Sequence, residues 1–326
     1  MKAFQILKTF FCNSILENSK KRLYFIIMTN PKKKSAFIRR LRIFWSRNYA
    51  TLIAAVFFCT VAYWARNIEP DSLRVTELEF HHEKITPELD GTVIAFAADL
   101  HCNKRRLQLW QKTADYLNSR SDITAILLGG DLINGNNRGL KVDKAVNKLE
   151  ILNDPAKVYS IPGNHEYRYY PGGIEAVVRE FNNSNLNFMR DSNLVIQNSN
   201  GGKFNLIGLD FMTNPHHRID KTRCEKLFRN DMLNIVLTHT PEDFQFLPEN
   251  AHLVLAGHTH GGQINIPFLG SVINPPGYSR FENYGIIKKD RKTMYITCGL
   301  GSAYTQARLF MRPELVIIKL KMANKK

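Results

Sequence analysis

Val93–His101 reads VIAFAADLH, six consecutive apolar residues running into an Asp-x-His. Ile123–Asp131 repeats the device as ITAILLGGD. A short, wholly apolar run bounded by glycine or turn residues reads as a strand buried on both faces. Between the two, Arg105–Leu117 has helical spacing, with Leu107, Trp110, Ala114 and Leu117 on one face. A helix around Val142–Leu152 follows, then a strand Lys157–Ile161 that ends in Pro162-Gly163-Asn164-His165-Glu166. This β-α-β-α order predicts an α/β fold with both sheet faces covered. Further strands are expected at Leu194–Gln197, Phe204–Leu209, Asn234–Thr238, Leu253–Ala256, Met294–Thr297 and Leu315–Leu320.

Each polar cluster follows the C-terminal end of a buried strand, the edge where open α/β sheets bind ligands. The clusters are Asp99-Leu-His101, Gly130-Asp131, Gly163-Asn164-His165-Glu166, Thr238-His239-Thr240 and Gly257-His258-Thr259-His260-Gly261-Gly262. On an extended segment, side chains two residues apart point the same way, so Asp99 with His101, or His258 with His260, can share one ion. Imidazoles, carboxylates and an amide oxygen form a hard-to-borderline donor set that suits Mn²⁺, Fe²⁺ or Zn²⁺. Taken singly, each cluster has a plainer reading. Asp131 serves as a helix cap, Asn164 as a turn residue and an isolated histidine as a structural group. Five clusters in this order, each closing a strand, argue against that reading.

At these residues the chain resembles the calcineurin-like metallophosphoesterases, over roughly Thr92–Leu320. The resemblance implies a four-layer α/β-β/α sandwich holding two divalent metal ions, Mn²⁺ foremost, with Fe²⁺ or Zn²⁺ as alternatives. It implies that Asp99, His101 and His260 hold the first ion, that Asn164, His239 and His258 hold the second, and that Asp131 bridges them. His165 is then the group that protonates the leaving oxygen or stabilises the transition state. Gly257–Gln263 and the ending from Gly299 to Glu314 are similar to a small membrane-associated bacterial branch that includes UDP-2,3-diacylglucosamine diphosphatases of lipid A biosynthesis. That likeness implies a lipid-linked nucleotide or phospholipid substrate. The residues themselves offer Tyr167 and Arg168 for its diphosphate, with a solvated loop as the plainer reading, and Tyr278 and Phe281 in an apolar lip formed by Ile264–Ile287. The plainer reading of the lip is a packed hairpin. His216-His217-Arg218 with Lys221 is a second candidate for the diphosphate, and Lys104-Arg105-Arg106 reads as an exposed helix start or a headgroup contact.

The formal charge of +16 suggests nucleic-acid binding until its distribution is examined. Residues 1–66 hold 13 Lys/Arg against one acid, Glu17, whereas the remaining 260 hold 32 basic and 28 acidic residues. The body lacks the domain-wide positive field that sequence-independent nucleic-acid binding needs, so no nucleic-acid partner is expected. With 44% hydrophobic and 23% charged residues, wholesale disorder is excluded. Five scattered cysteines without a tight pair imply neither a disulfide framework nor a thiolate metal site.

The 18 uncharged residues between Arg47 and Arg66, NYATLIAAVFFCTVAYWA, would cross roughly 27 Å as a helix. Tyr49, Tyr63 and Trp64 stand at its ends, as headgroup-level aromatics do. The expected division is a basic segment 1–47, a transmembrane or anchor helix 48–65, a linker 66–90 and a catalytic domain 91–326. Met28, followed by TNPKKK, reads as a natural start. The basic flank upstream and seven acids in residues 67–90 place the N-terminus in the cytoplasm and the domain across the membrane. A UDP-linked substrate is made in the cytoplasm, however, and an 18-residue run also suits an interfacial attachment. The expected location is therefore the bacterial inner membrane, with the domain on its cytoplasmic face. The reading from another class is a membrane-tethered binding protein with a vestigial site.

Overall fold

The computed structural model describes residues 31–102, 107–133, 142–168, 172–211, 224–272, 282–303 and 305–323. The chain divides into two units, Met1–Ala62 and Tyr63–Lys326. The described part of the first unit is helical and belongs to α1 (Pro31–Asn67), which runs through both the basic stretch and the apolar run. α1 is long and apolar enough to cross a membrane, and only 6% of its apolar window is buried. Ile53, Val56, Phe57 and Phe58 are each more than half exposed.

The second unit contains two six-stranded sheets. The first has the order β1 (Arg74–His82), β14 (Glu314–Met322), β2 (Val93–Ala97), β3 (Ile123–Leu128), β4 (Val158–Ser160) and β5 (Asn187–Phe188). The second has the order β12 (Gly285–Lys289), β13 (Lys292–Ile296), β9 (Leu253–Ala256), β8 (Leu233–Leu237), β7 (Lys203–Gly208) and β6 (Ser192–Gln197). A hairpin of β10 (Asn265–Ile266) and β11 (Gly270–Ser271) stands apart.

Alternation along the strands builds the layers. Ile94 and Phe96 of β2, with Ala125 and Leu127 of β3, share one buried cluster with Leu206, Ile235, Leu237, Leu253 and Leu255 of the second sheet. Their neighbours Val93, Ala95, Ala97, Ile126 and Leu128 face the other way. They pack with α2 (Leu107–Asn118), α3 (Val142–Leu149) and α5 (Gly173–Asn182) through Trp110, Ala114, Leu149, Val177 and Phe181. On the far side of the second sheet, Ile207, Val236, Val254 and Ile296 are covered by Phe244 and Leu247, the first of them in a 3₁₀ turn Pro241–Phe246. Strands buried on both faces need apolar residues at every position, which is why these runs are continuous rather than alternating. Each fully buried Leu, Ile or Phe contributes about 1.5–3 kcal/mol through its removal from water.

Residues 66–90, expected as a linker, contain β1, which pairs in parallel with β14 over the whole of Arg74–His82. β1 alternates apolar residues with Glu77, Glu79 and histidines, and it shows one partly exposed face, so its strand signal is weaker than that of β2 or β3. α5 and β12 also lie outside the sequence expectations. The core of the first sheet is parallel from β2 through β5, and β7, β8, β9 and β13 are parallel in the second. The strand ends that carry the polar clusters therefore open toward one edge.

Candidate metal centre

Five strand ends deliver the side chains. Asp99 and His101 follow β2, Asp131 follows β3, Asn164 and His165 open the short helix α4 (Asn164–Arg168) after β4, His239 follows β8, and His258 and His260 follow β9. Backbone bonds join neighbouring loops within each sheet: Gly257 N donates to His239 O at 3.1 Å and Asp99 N to Gly130 O at 3.0 Å. Asp99, His101, Asp131, His258 and His260 all have φ between 42° and 71°. For residues with a Cβ this left-handed region costs about 1–2 kcal/mol each. Strain of that kind persists where the surroundings over-determine it and gathers at functional sites. Gly257 is required by close approach, since a Cβ there would stand 2.6 Å from both Ala98 Cβ and Asp99 Oδ2.

The donor atoms form three overlapping groups: Asp99, His101 and His260; His101, Asp131 and His165; Asp131, His239 and His258. His101 Nε2 faces His260 Nε2 at 3.1 Å, and His260 Nε2 lies 3.8 Å from Asp99 Oδ1. His239 Nε2 lies 3.2 Å from His258 Nδ1, 3.2 Å from Asn164 Oδ1 and 3.5 Å from Asp131 Oδ2. Two donors each ~2.1 Å from a shared ion stand about 3–3.4 Å apart, so these spacings fit cation ligation. His239 Nδ1 meets Gly129 O at 2.8 Å and must donate there, so Nε2 is the nitrogen aimed at His258 Nδ1, Asn164 Oδ1 and Asp131 Oδ2. His260 Nδ1, by contrast, is buried and has no hydrogen-bond partner among the described residues.

The electrostatics of the side chains agree. Burial pushes His101 and His258 down to about 3 and His260 well below the ordinary imidazole value. These rings are neutral and have lone pairs to offer, as ligation requires. Burial also opposes charge on His239, but the carboxylates of Asp131 and Asp99 outweigh it and raise this ring to about 10. Burial disfavours the Asp131 charge, yet the neighbouring His239 and His165 hold this carboxyl well below its usual range. The pocket calls for positive charge at the point where His239 Nε2 meets Asp131.

Two residues whose roles the sequence does not disclose hold this geometry. Glu166 is fully buried, and its carboxylate accepts backbone N–H bonds from Asp131, Leu132, Ile133 and Gly163 at 2.7–3.1 Å. It fixes the loop that presents Asp131. Arg308, also fully buried, donates to the carbonyls of Cys298, Gly299, Gly301 and Met311. The Cys298–Gly301 loop so held packs on Asp99, with Leu300 N donating to Ala98 O at 3.0 Å and Gly301 N to Asp99 O at 2.6 Å. Glu166 is visible in the sequence only as the last letter of a motif, and Arg308 only as part of the C-terminal ending.

Of the expected substrate contacts, Tyr167 donates its hydroxyl to Asp210 Oδ1 at 2.5 Å and accepts from Arg190 at 3.1 Å. It can present a ring to the site, but its hydroxyl proton is engaged. Arg168 is exposed at the end of α4; burial lowers the rings of His165 and His258, and the nearby Arg168 charge adds to that lowering. Tyr278, Phe281, Lys104–Arg106, His216–Arg218 and Lys221 lie outside the described residues. Tyr284, expected in the apolar lip, instead donates to buried Glu314 at 2.7 Å and packs against Tyr295.

A sequence profile described as calcineurin-like phosphoesterase matches residues 92–262. The chain is 27% identical over 265 residues to the metallophosphoesterase YkuE of Bacillus subtilis, covering 80% of this chain and 90% of that one. It is 24% identical over 311 residues to the UDP-2,3-diacylglucosamine pyrophosphatase LpxG of Chlamydia muridarum, covering 78% and 92% respectively. It is 26% identical over 231 residues to the phosphodiesterase YaeI of Escherichia coli, covering 70% and 81%.

Proposed function

The chain belongs to the calcineurin-like phosphoesterase family and is a hydrolase of phosphoester bonds, and from that premise we propose that it is a membrane-associated pyrophosphatase cleaving UDP-2,3-diacylglucosamine to lipid X and UMP. The observation that carries this reading is the likeness to LpxG over 92% of that protein's length. An apolar N-terminal helix, suited to an enzyme whose substrate resides in a bilayer, supports it. The proposed location is the cytoplasmic face of the bacterial inner membrane, where UDP-linked precursors are made.

Asp99, His101 and His260 are proposed to hold one divalent ion, Asn164, His239 and His258 the second, and Asp131 to stand between them. Mn²⁺ is the proposed ion, and the same donors accept Fe²⁺ or Zn²⁺. When bound, two such ions would supply an acidified water and offset the charge that develops on the phosphoryl oxygens. His165 stands with Nε2 3.8 Å from Asp131 Oδ2, its side chain 15% exposed and thus reachable from solvent. Water would attack one phosphorus and lose a proton to solvent as the bridging P–O bond breaks, and His165 would give a proton to the departing phosphate oxygen and recover one from solvent. Arg168 is proposed to grip the diphosphate, as a guanidinium does bidentately, with the ring of Tyr167 alongside. Tyr278 and Phe281 are proposed to contact the acyl chains.

A second reading is hydrolysis of a simpler phosphodiester, favoured by the likeness to YaeI. The test is a substrate panel on the Mn²⁺-loaded, detergent-solubilised full chain, comparing UDP-2,3-diacylglucosamine, a glycerophospholipid and an aryl phosphodiester. UMP release at a higher kcat/KM than aryl phosphodiester cleavage is expected. Turnover of the aryl ester alone would remove the lipid-nucleotide assignment and leave the phosphodiesterase reading.

A further inference from the structure

We propose that the catalytic unit makes a second contact with the lipid bilayer through an apolar rim beside the His258–His260 loop, formed by Phe268, Leu269, Val272 and Phe310. Phe268 at the tip of the β10–β11 hairpin is 101% exposed, Leu269 65%, Val272 58% and Phe310 61%. Isolated exposed apolar residues are ordinary. These four lie on two segments joined by hydrogen bonds, Leu309 N to Gln263 O and Asn265 N to Leu309 O, each at 2.9 Å. Phe268 and Phe310 also have φ of 68° and 57°, left-handed values unfavourable for bulky side chains. Both rings are thus held out in solvent by backbone that a residue with a Cβ adopts reluctantly.

What covers the rim follows from its other neighbour. Arg308 N donates to Ala65 O at 2.8 Å, and Met311 N donates to Glu69 Oε1 at 2.7 Å. Trp64 Nε1 donates to the other oxygen of Glu69 at 3.1 Å. The segment carrying Phe310 is therefore tied on one side to the hairpin and on the other to Tyr63–Asp71, where the apolar run of α1 ends. Tyr63, Trp64 and Ile68 are exposed there at 63%, 48% and 37%. Amphipathic aromatics at the end of a membrane-length helix belong at the headgroup level. These aromatics belong to the same unit as the rim and are bonded to the segment that carries Phe310, so a bilayer that meets them is the occupant that would cover both. The hairpin begins five residues after His260, so such insertion sets the mouth of the metal centre against the lipid surface from which an acylated substrate is drawn. The inference rests on membrane attachment through α1, as in the proposed function.

The test uses the full chain with Cys12 and Cys59 replaced by Ser, reconstituted into phosphatidylcholine–phosphatidylglycerol vesicles. Nitroxide labels are attached at F268C, L269C and F310C, with L194C on β6 as an aqueous reference. The rim labels are expected to show a several-fold higher ratio of oxygen to nickel-chelate accessibility than L194C. Rim labels as chelate-accessible as L194C, in protein that floats with the vesicles, would overturn the rim alone. Label–label coupling between chains with no oxygen preference would overturn it in favour of a second copy of the chain. Failure to float would overturn membrane attachment, and the rim with it.

Discussion

Asp131 Oδ2 lies 3.5, 3.7 and 3.8 Å from the Nε2 atoms of His239, His101 and His165, so one carboxylate oxygen serves both halves of the site. Asp131→Asn keeps the size and removes the charge. Turnover is expected to fall below a tenth of wild type, and elemental analysis should find less than the full complement of bound Mn²⁺. Retention of more than a tenth of the activity would sink the bridging role. His165 poses the opposite test, because its ring lies within reach of Asp131 and His101 as the third donor of that group. As a proton donor it contributes about 10²–10⁴ in rate without holding an ion. His165→Ala should therefore lose kcat by that factor and purify with its metal. A mutant stripped of metal would make His165 a ligand instead. The candidate ligands were legible in the sequence because each follows a short run that reads as a strand and ends in a polar cluster. The roles of Glu166 and Arg308 were not, because each consists of bonds to backbone atoms brought close only by the fold.

Loops and strands are secured by buried groups whose removal should be felt at a distance. Arg308→Met leaves the carbonyls of Cys298, Gly301 and Met311 without their donor and Gly299 O with Glu314 N alone. An orphaned buried carbonyl costs about 1–3 kcal/mol, and partial relaxation makes a total of roughly 3–5 kcal/mol reasonable. Loss of Mn²⁺ affinity at the Asp99 side should accompany the fall in thermal midpoint. Wild-type affinity in a destabilised mutant would confine Arg308 to folding. At the β8–β9 junction, Asn234 N donates to His252 Nδ1 at 2.9 Å, a bond that only the unprotonated nitrogen accepts. Burial, then His82 and Lys84, lower His252 to about 4. Its folded-state pKa is below the unfolded value, so its contribution is fully present above about 6.5 and is lost as pH falls toward 4. His252→Asn, which can still accept from Asn234 N, should reduce the loss of denaturation midpoint between pH 7 and pH 4.5. An unchanged pH slope would show that His252 does not carry it. β1 escaped the sequence reading for a related reason. Its glutamates and histidines alternate with apolar residues, and only pairing with β14 makes such a segment part of a sheet.

At the scale of the whole chain, the boundary between anchor and enzyme falls inside α1 rather than after it. The apolar run read as a span ends at Ala65, yet the catalytic unit begins at Tyr63. The reason is chemical. Ala65 is buried and accepts from Arg308 N, while Trp64 bonds the buried carboxylate of Glu69, whose other oxygen accepts from Met311 N. Deleting residues 1–62 leaves these bonds intact, whereas deleting 1–66 removes Trp64 and Ala65 and leaves Glu69 and Arg308 N short of partners. The lost bonds are worth about 1–3 kcal/mol, which in a unit of this size corresponds to roughly 2–10 °C. A chain beginning at Tyr63 should therefore match the full chain in thermal midpoint and in hydrolysis of a soluble aryl phosphodiester. A chain beginning at Asn67 should melt lower. Both should lose activity on a lipid substrate presented in vesicles, since the anchor supplies effective concentration at the surface where that substrate resides. Equal midpoints for the two truncations would show that Trp64 and Ala65 contribute nothing to the catalytic unit. Undiminished turnover of the vesicle-borne lipid by either would remove the anchor from the proposed function.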